Sequence, residues 1–194
     1  MPNPTREILL TTPRLYLRRF QADDAPLLYA LDSDPEVMRF ITKGQATPMT
    51  QIENEILPRL LGHYAYSPPR GCFAAHLRGD DEFIGWFHLR PDKLTPAEME
   101  LGYRLKRSAW GQGLATEGSR ARVENAFGLW DYPKVCARTL IGNLASQRVM
   151  EKAGLRFEAE FIYPLSIIPD WTQAERRAVK FSLSKAEFAC RAPQ

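Results

Sequence analysis

No stretch of this chain approaches the ~20 consecutive apolar residues that a bilayer span needs, and its opening, MPNPTREILLTTPR, lacks the basic-then-apolar layout of a secretory leader. An excess of one charge is missing too: 26 Lys and Arg stand against 23 Asp and Glu, a net +3 with the signs interspersed. That small excess suits a polyanionic small ligand and excludes the basic stripe of a nucleic-acid binder. Cysteine is scarce. Cys72, Cys136 and Cys190 form no CxxC pair, and His63, His76 and His88 do not fall at metal-ligand spacings. Free thiols in a reducing cytosol are therefore expected, with no disulfide framework and no metal. The expectation is a cytoplasmic protein without nucleic-acid or membrane partners.

What is present is enough apolar material for one packed unit: 44% apolar and 11% aromatic residues in 194 predict a single domain over 1–194. RLYLRRF after Pro13 alternates like a strand, and ADDAPLLYALDSDPEVMRFI reads as a helix with a second short turn from Pro35. Thr47-Pro48 is expected to cap a helix running to about Leu61. From Cys72 the period becomes two: CFAAHLR and EFIGWFHLR around GDD predict a hairpin, and AEMELGYRLK a further strand. Leu114 to Phe127 is helical, KVCARTL a strand, NLASQRVMEKA a helix closed by Gly154, and LRFEAEFIY and RRAVKFSLS the last strands. This order predicts an α/β (α+β) architecture: a mixed, mostly antiparallel sheet of about seven strands flanked by helices, parallel only where strand–helix–strand units occur.

The chemistry-bearing stretch is RSAWGQGLATEG, residues 107–118. A strand, a glycine-punctuated turn and a helix make an anion site, because first-turn amides lack partners and the helix dipole adds positive charge. Two familiar phosphate loops do not fit. No lysine follows Gly113, as GxxxxGK[ST] requires, and Thr116 stands at the third glycine of GxGxxG. By itself the turn is as compatible with a purely structural role, or with a nucleotide-binding module. IGNLASQRVMEKAGLRF adds a second strand-to-helix junction, with Asn143 and Ser146 at its start.

TPRLYLRRFQADDAPLLYAL, ELGYRLKRSAWGQGLATEG and IGNLASQRVMEKAGLRFEAE, in that order over Pro13 to Phe161, resemble the GCN5-related N-acetyltransferase family, and within it the branch of ribosomal-protein N-terminal acetyltransferases. The resemblance implies that family's fold, with the sheet splayed between its fourth and fifth strands, and acetyl-CoA as co-substrate. It places the cofactor on Tyr103, Leu105, Arg107, Trp110, Gly111, Gln112, Gly113, Leu114, Ala115, Thr116, Asn143 and Ser146. Trp110 is expected to pack beneath the turn or to line the cofactor groove. Lys106 and Arg107 either add positive charge or are simply solvated.

The implied reaction is acetyl transfer to a primary amine by direct attack, the acceptor being a peptide or protein N-terminus or a small molecule. A catalytically weak acyl-CoA-binding module is the alternative. Met150 stands where many relatives carry a proton-donating tyrosine, and Ser146 matches the serine thought to serve in this branch. Glu100 is the first candidate base, with Glu98, two residues away on the same strand face, acting through water; both could instead be solvent-facing. Gly102 is compatible with a bulge that exposes oxyanion-stabilising amides or with close packing. Trp86, His88, Phe40 and Tyr163 either line the acceptor site or belong to the core, and the segments Ile41–Leu61 and Pro164–Gln173 are expected to build its variable wall. A monomer or homodimer is expected.

Overall fold

The computed structural model describes residues 7–65 and 70–190; the first six residues of the stretch read for a leader lie outside them. Eight strands are present: β1 (Ile8–Thr11), β2 (Leu15–Arg19), β3 (Gly71–Leu77), β4 (Phe83–Pro91), β5 (Met99–Leu105), β6 (Lys134–Leu140), β7 (Arg156–Ile162) and β8 (Arg177–Ser184). They form one sheet in the order β1-β2-β3-β4-β5-β6-β8-β7. The strand not foreseen is β1: ILLT is a four-residue edge strand whose pairing to β2 slips between Ile8 and Leu10, too short to show a period.

Helices α1 (Ala25–Asp32), α2 (Pro35–Met38), α3 (Met49–Gln51) and α4 (Leu57–Gly62) follow β2, with a π-helical stretch, Ile52–Ile56, joining α3 to α4. α5 (Leu114–Gly128) follows β5, α6 (Leu144–Lys152) follows β6, and α7 (Lys185–Ala189) closes the described chain. Among the described residues no helix is long and apolar enough to cross a membrane. Thr47 does not cap α3; Pro48 holds that position, and the Thr47 hydroxyl turns to Asp32 at 3.4 Å. Asp24 likewise leaves the start of α1 uncapped, because its carboxylate is committed to the fully buried Arg18 at 2.6 and 3.0 Å. A buried guanidinium is tolerable only when matched in this way.

Strand alternation divides the side chains between two layers. Leu89, Met99, Leu101, Val123 and Phe127 pack in one core with Met150, Leu155 and Phe181, which seats α5 and α6 on the sheet. Phe20, Leu28, Leu31, Ile52, Leu57 and Phe83 form another with α1 to α4, with Trp86 packed against it. The helix ending at Lys152 closes as expected, with Gly154 at φ +94° and the Leu155 amide donating to the Met150 carbonyl at 3.0 Å.

β5 and β6 are the parallel neighbours, and they pair only at Met99–Val135 and Glu100–Cys136 before parting. All other neighbouring pairs are antiparallel. The expected splay is therefore present, at the fifth and sixth strands because β1 shifts the count. Both strands lead into helices at this open end, so the two strand-to-helix junctions stand side by side.

Candidate active site

At the first junction the backbone, more than any side chain, makes the site. Gly111 and Gly113 have φ of +72° and +78°, the left-handed region that a Cβ penalises. Gly113 is the N-cap of α5 and supplies no side-chain acceptor, so the first-turn amides of Leu114, Ala115 and Thr116 face outward uncapped. A Cβ at Gly111 would meet nothing within 4 Å, which leaves the approach to these amides open. Glu117 does not close it. Its carboxylate accepts from the Thr12 hydroxyl at 2.6 Å and from Arg14 Nε at 2.6 Å, and Arg14 Nη1 also donates to the Gln112 carbonyl at 2.8 Å. These bonds anchor the turn to the β1–β2 connection.

At the second junction Asn143 caps α6, its Oδ1 accepting from the Ser146 amide at 3.2 Å. The Ser146 hydroxyl lies 2.8 Å from the Tyr103 hydroxyl, and Tyr103 also donates to the Ser146 carbonyl at 3.1 Å. Burial pushes the Tyr103 phenol up to about 12, so it stays protonated at neutral pH. This pair links β5 to α6 beside the splay, where a cavity of about 710 Å³ opens.

The opposite face of the same strands carries a different set. Glu100 accepts from Arg90 at 3.1 and 3.3 Å, and His88 Nε2 lies 3.6 Å from the same oxygen. Burial alone would raise the Glu100 carboxyl, but His88 and Arg90 outweigh it and hold it at about 2. Burial lowers His88, which is therefore neutral at pH 7. Arg104 reaches Asp32 at 2.5 Å and covers Trp86 at 5.1 Å; Arg138 is paired with the buried Asp92.

Gly102 is a close-packing glycine and not a bulge. It sits in unbroken register opposite His88, and an added Cβ would fall 2.4 Å from the imidazole Cε1. Gly102→Ala is therefore expected to push His88 off its stack on Trp86 (5.5 Å between centroids) and cost about 1–3 kcal/mol. Thermal unfolding checks this: Gly102→Ala should melt lower, and adding His88→Ala should recover much of the loss.

Of the residues singled out in the sequence, Tyr103, Leu105, Trp110, Gly111, Gly113, Ala115, Thr116, Asn143, Ser146 and Glu100 line the cavity, as do Trp86, His88, Phe40 and Tyr163. Trp110 is not packed beneath the turn: it is 47% exposed, and its indole N–H donates to the Leu105 carbonyl at 2.8 Å. Three cofactor candidates fall elsewhere. Leu114 is buried in the core, Gln112 turns its amide to the Ser108 carbonyl at 2.6 Å, and Arg107 pairs with Asp34 at 2.8 Å.

Glu98 does not share the surroundings of Glu100. It precedes β5 and sits between Lys134 at 3.0 Å and Lys180 at 2.8 Å, a cluster completed by Glu158. Of the expected variable wall, Ile41, Ile167 and Ile168 line the cavity. Sequence reading passed over Arg90, Lys93, Arg138, Arg148 and Lys152, all lining the cavity. Only the two-residue step from His88 to Arg90 offered a signal, since both must share a strand face.

The same stretches decide the family. The model of the acetyltransferase (GNAT) domain matches residues 14–156. The chain belongs to the GNAT acetyltransferase family. FsC-acetyl coenzyme A-N(2)-transacetylase of Aspergillus fumigatus is 31% identical over 187 residues, covering 92% of this chain and 77% of that protein. Among solved structures, a GNAT acetyltransferase from Bacillus anthracis superposes with a TM-score of 0.75 at 22% identity, covering 93% of this chain and all of that one. Spermidine N-acetyltransferase of Vibrio cholerae, solved with CoA and spermine, gives 0.70 at 13% identity, covering 92% and 99%. These likenesses show the GNAT fold. This GNAT chain is an acyltransferase that uses acetyl-CoA, and the open, uncapped α5 terminus has the chemistry to suit a diphosphate.

Proposed function

We propose that this enzyme moves the acetyl group directly to a primary amine presented at the gap between β5 and β6. One observation carries the reading: the Tyr103–Ser146 hydroxyl pair and the Glu100–Arg90–His88 cluster flank that gap from opposite faces of the sheet. A proton donor and an ammonium-attracting carboxylate thus approach one point from two sides.

The first-turn amides of α5 would hold the coenzyme's diphosphate, with Arg148 and Lys152 of α6 as added positive charge. Bound there, acetyl-CoA supplies an acetyl group activated as a thioester. The β6-facing edge of β5 from Leu101 to Leu105 has no strand partner among the described residues, and an amide there would stabilise the oxyanion. Ser146, backed by Tyr103, would donate a proton to the departing thiolate; Met150, 2% exposed, is a core residue and has none to give. Glu100, held at about 2, is too weak a base to work by direct abstraction at neutral pH. Its role would be to draw in the ammonium and order a water that removes the proton.

For the acceptor, the concave aromatic wall of Trp86, Phe40 and Tyr163 favours a small molecule. A peptide or protein N-terminus, and with it the ribosomal-protein branch, is the second reading. It is favoured by an exposed apolar residue on the cavity lining, Ile41 at 38%.

Ser146→Ala tests the chemistry. About a tenfold fall in kcat with unchanged coenzyme affinity is expected, and Tyr103→Phe should fall less. Turnover by Ser146→Ala equal to that of the parent would remove the serine from the reaction.

A further inference from the structure

Each carboxylate on the acceptor face of the cavity is already matched to a guanidinium. Glu100 holds Arg90 at 3.1 Å, Asp92 is paired with Arg138, and Asp32 behind the wall takes Arg104 at 2.5 Å. At the rim Glu36 faces Arg39 at 3.9 Å. Two of the three wall rings are covered too: Arg104 lies 5.1 Å over Trp86 and Arg39 5.3 Å over Phe40, while Tyr163 packs edge-on against Phe161 at 4.8 Å between centroids. A second ammonium on the acceptor would meet no unmatched carboxylate among these residues, and at Trp86 and Phe40 it would meet a ring already facing a guanidinium.

The charge left over on this face is positive. Lys93 lines the cavity and makes no ion pair among the described residues. Burial, then the neighbouring Arg90 and Arg59, lower its pKa, with Glu100 opposing. His63 stands in the same field, lowered by burial and by Arg90, Arg59 and Arg70. Lys93 is exposed on the cavity lining, so its ammonium is open to an incoming anion, and the nearby guanidinium of Arg90 adds to the positive field there. Arg148 and Lys152, the cavity's other cations with no ion pair among the described residues, lie on α6 at the proposed diphosphate end and would serve the other substrate.

From this pattern we propose that the acceptor is a small amine that itself carries a carboxylate, an amino-acid-like molecule whose carboxylate meets Lys93 while its amine faces Glu100. The assignment rests on the acetyltransferase reading above and narrows its acceptor. Polyamines, whose extra ammonium groups would add to an already positive wall, are selected against.

The test uses the full chain with acetyl-CoA and sets of matched acceptors: α-amino acids, their carboxamides, their decarboxylated amines, and spermidine. Free-thiol release gives kcat/KM, and calorimetric titration into CoA-saturated protein gives affinity. The carboxylate-bearing member of each set is expected to lead by about tenfold or more. Lys93→Ala should erase most of that lead by raising KM for the carboxylates alone, and Lys93→Arg should keep it. Equal or better use of the decarboxylated amines or spermidine would overturn the proposal, as would a ratio unmoved by Lys93→Ala. The two readings separate cleanly. Thiol release without carboxylate preference keeps acetyl transfer and sinks the acceptor class, whereas carboxylate-selective binding without thiol release does the reverse.

Discussion

Gly113→Asp should weaken coenzyme A binding by at least about 100-fold, which is about 2.8 kcal/mol. Two effects combine. Gly113 sits at φ +78°, where an L-residue costs about 1–2 kcal/mol. The new carboxylate would also cap the amides meant for the diphosphate and repel its charge. Gly113→Ala separates the two, since it keeps the strain without the charge and should lose only part of the affinity. Gly111→Asp is the companion: it carries similar backbone strain at φ +72°, but its Cβ points into open space, so its new side-chain contacts fall on the ligand. Calorimetric titration with CoA, alongside thermal unfolding, reads both. Parental affinity in Gly113→Asp and Gly111→Asp together would place the diphosphate somewhere else.

Glu100→Gln should lower kcat/KM about 100-fold near neutral pH, chiefly through the acceptor's KM, by removing the charge that draws in the ammonium. The pH profile distinguishes this from direct base catalysis. With its carboxyl held at about 2, Glu100 is ionised throughout the working range. The parent's rate should therefore climb with pH as the acceptor amine loses its proton, with no inflection from Glu100 between pH 4 and 7. The stability link has the opposite reach. A depressed folded pKa means that this stabilisation is full above the ordinary value near 4.5 and is lost as pH falls towards 2. Acid unfolding of Glu100→Gln should accordingly be less steep than the parent's. An inflection near pH 6 that disappears in Glu100→Gln would restore the carboxylate as the direct base.

The hairpin of β3 and β4, the helix after Gly113 and the cap at Gly154 were legible because each rests on local preferences: alternation, helix periodicity and positive φ. Side-chain destinations were not. Glu98 and Glu100 look alike two residues apart, yet one joins Lys134 and Lys180 while the other joins Arg90 and His88. Arg107 could be read as added positive charge or as a solvated side chain, and the packing of α1 and α2 brings Asp34 to it at 2.8 Å. Tyr103 was expected on the cofactor, and only the tertiary structure shows its hydroxyl meeting Ser146 from 43 residues away.

By itself the sequence determined the order of elements and the two glycine- and asparagine-marked junctions, because backbone conformation and capping act over a few neighbouring residues. Tertiary structure alone decided which charges are neutralised and which stay available. That outcome depends on strands far apart in the chain lying side by side, which brings Arg90 to Glu100 and Arg138 to Asp92 and leaves Lys93 on the cavity lining with no ion pair among the described residues.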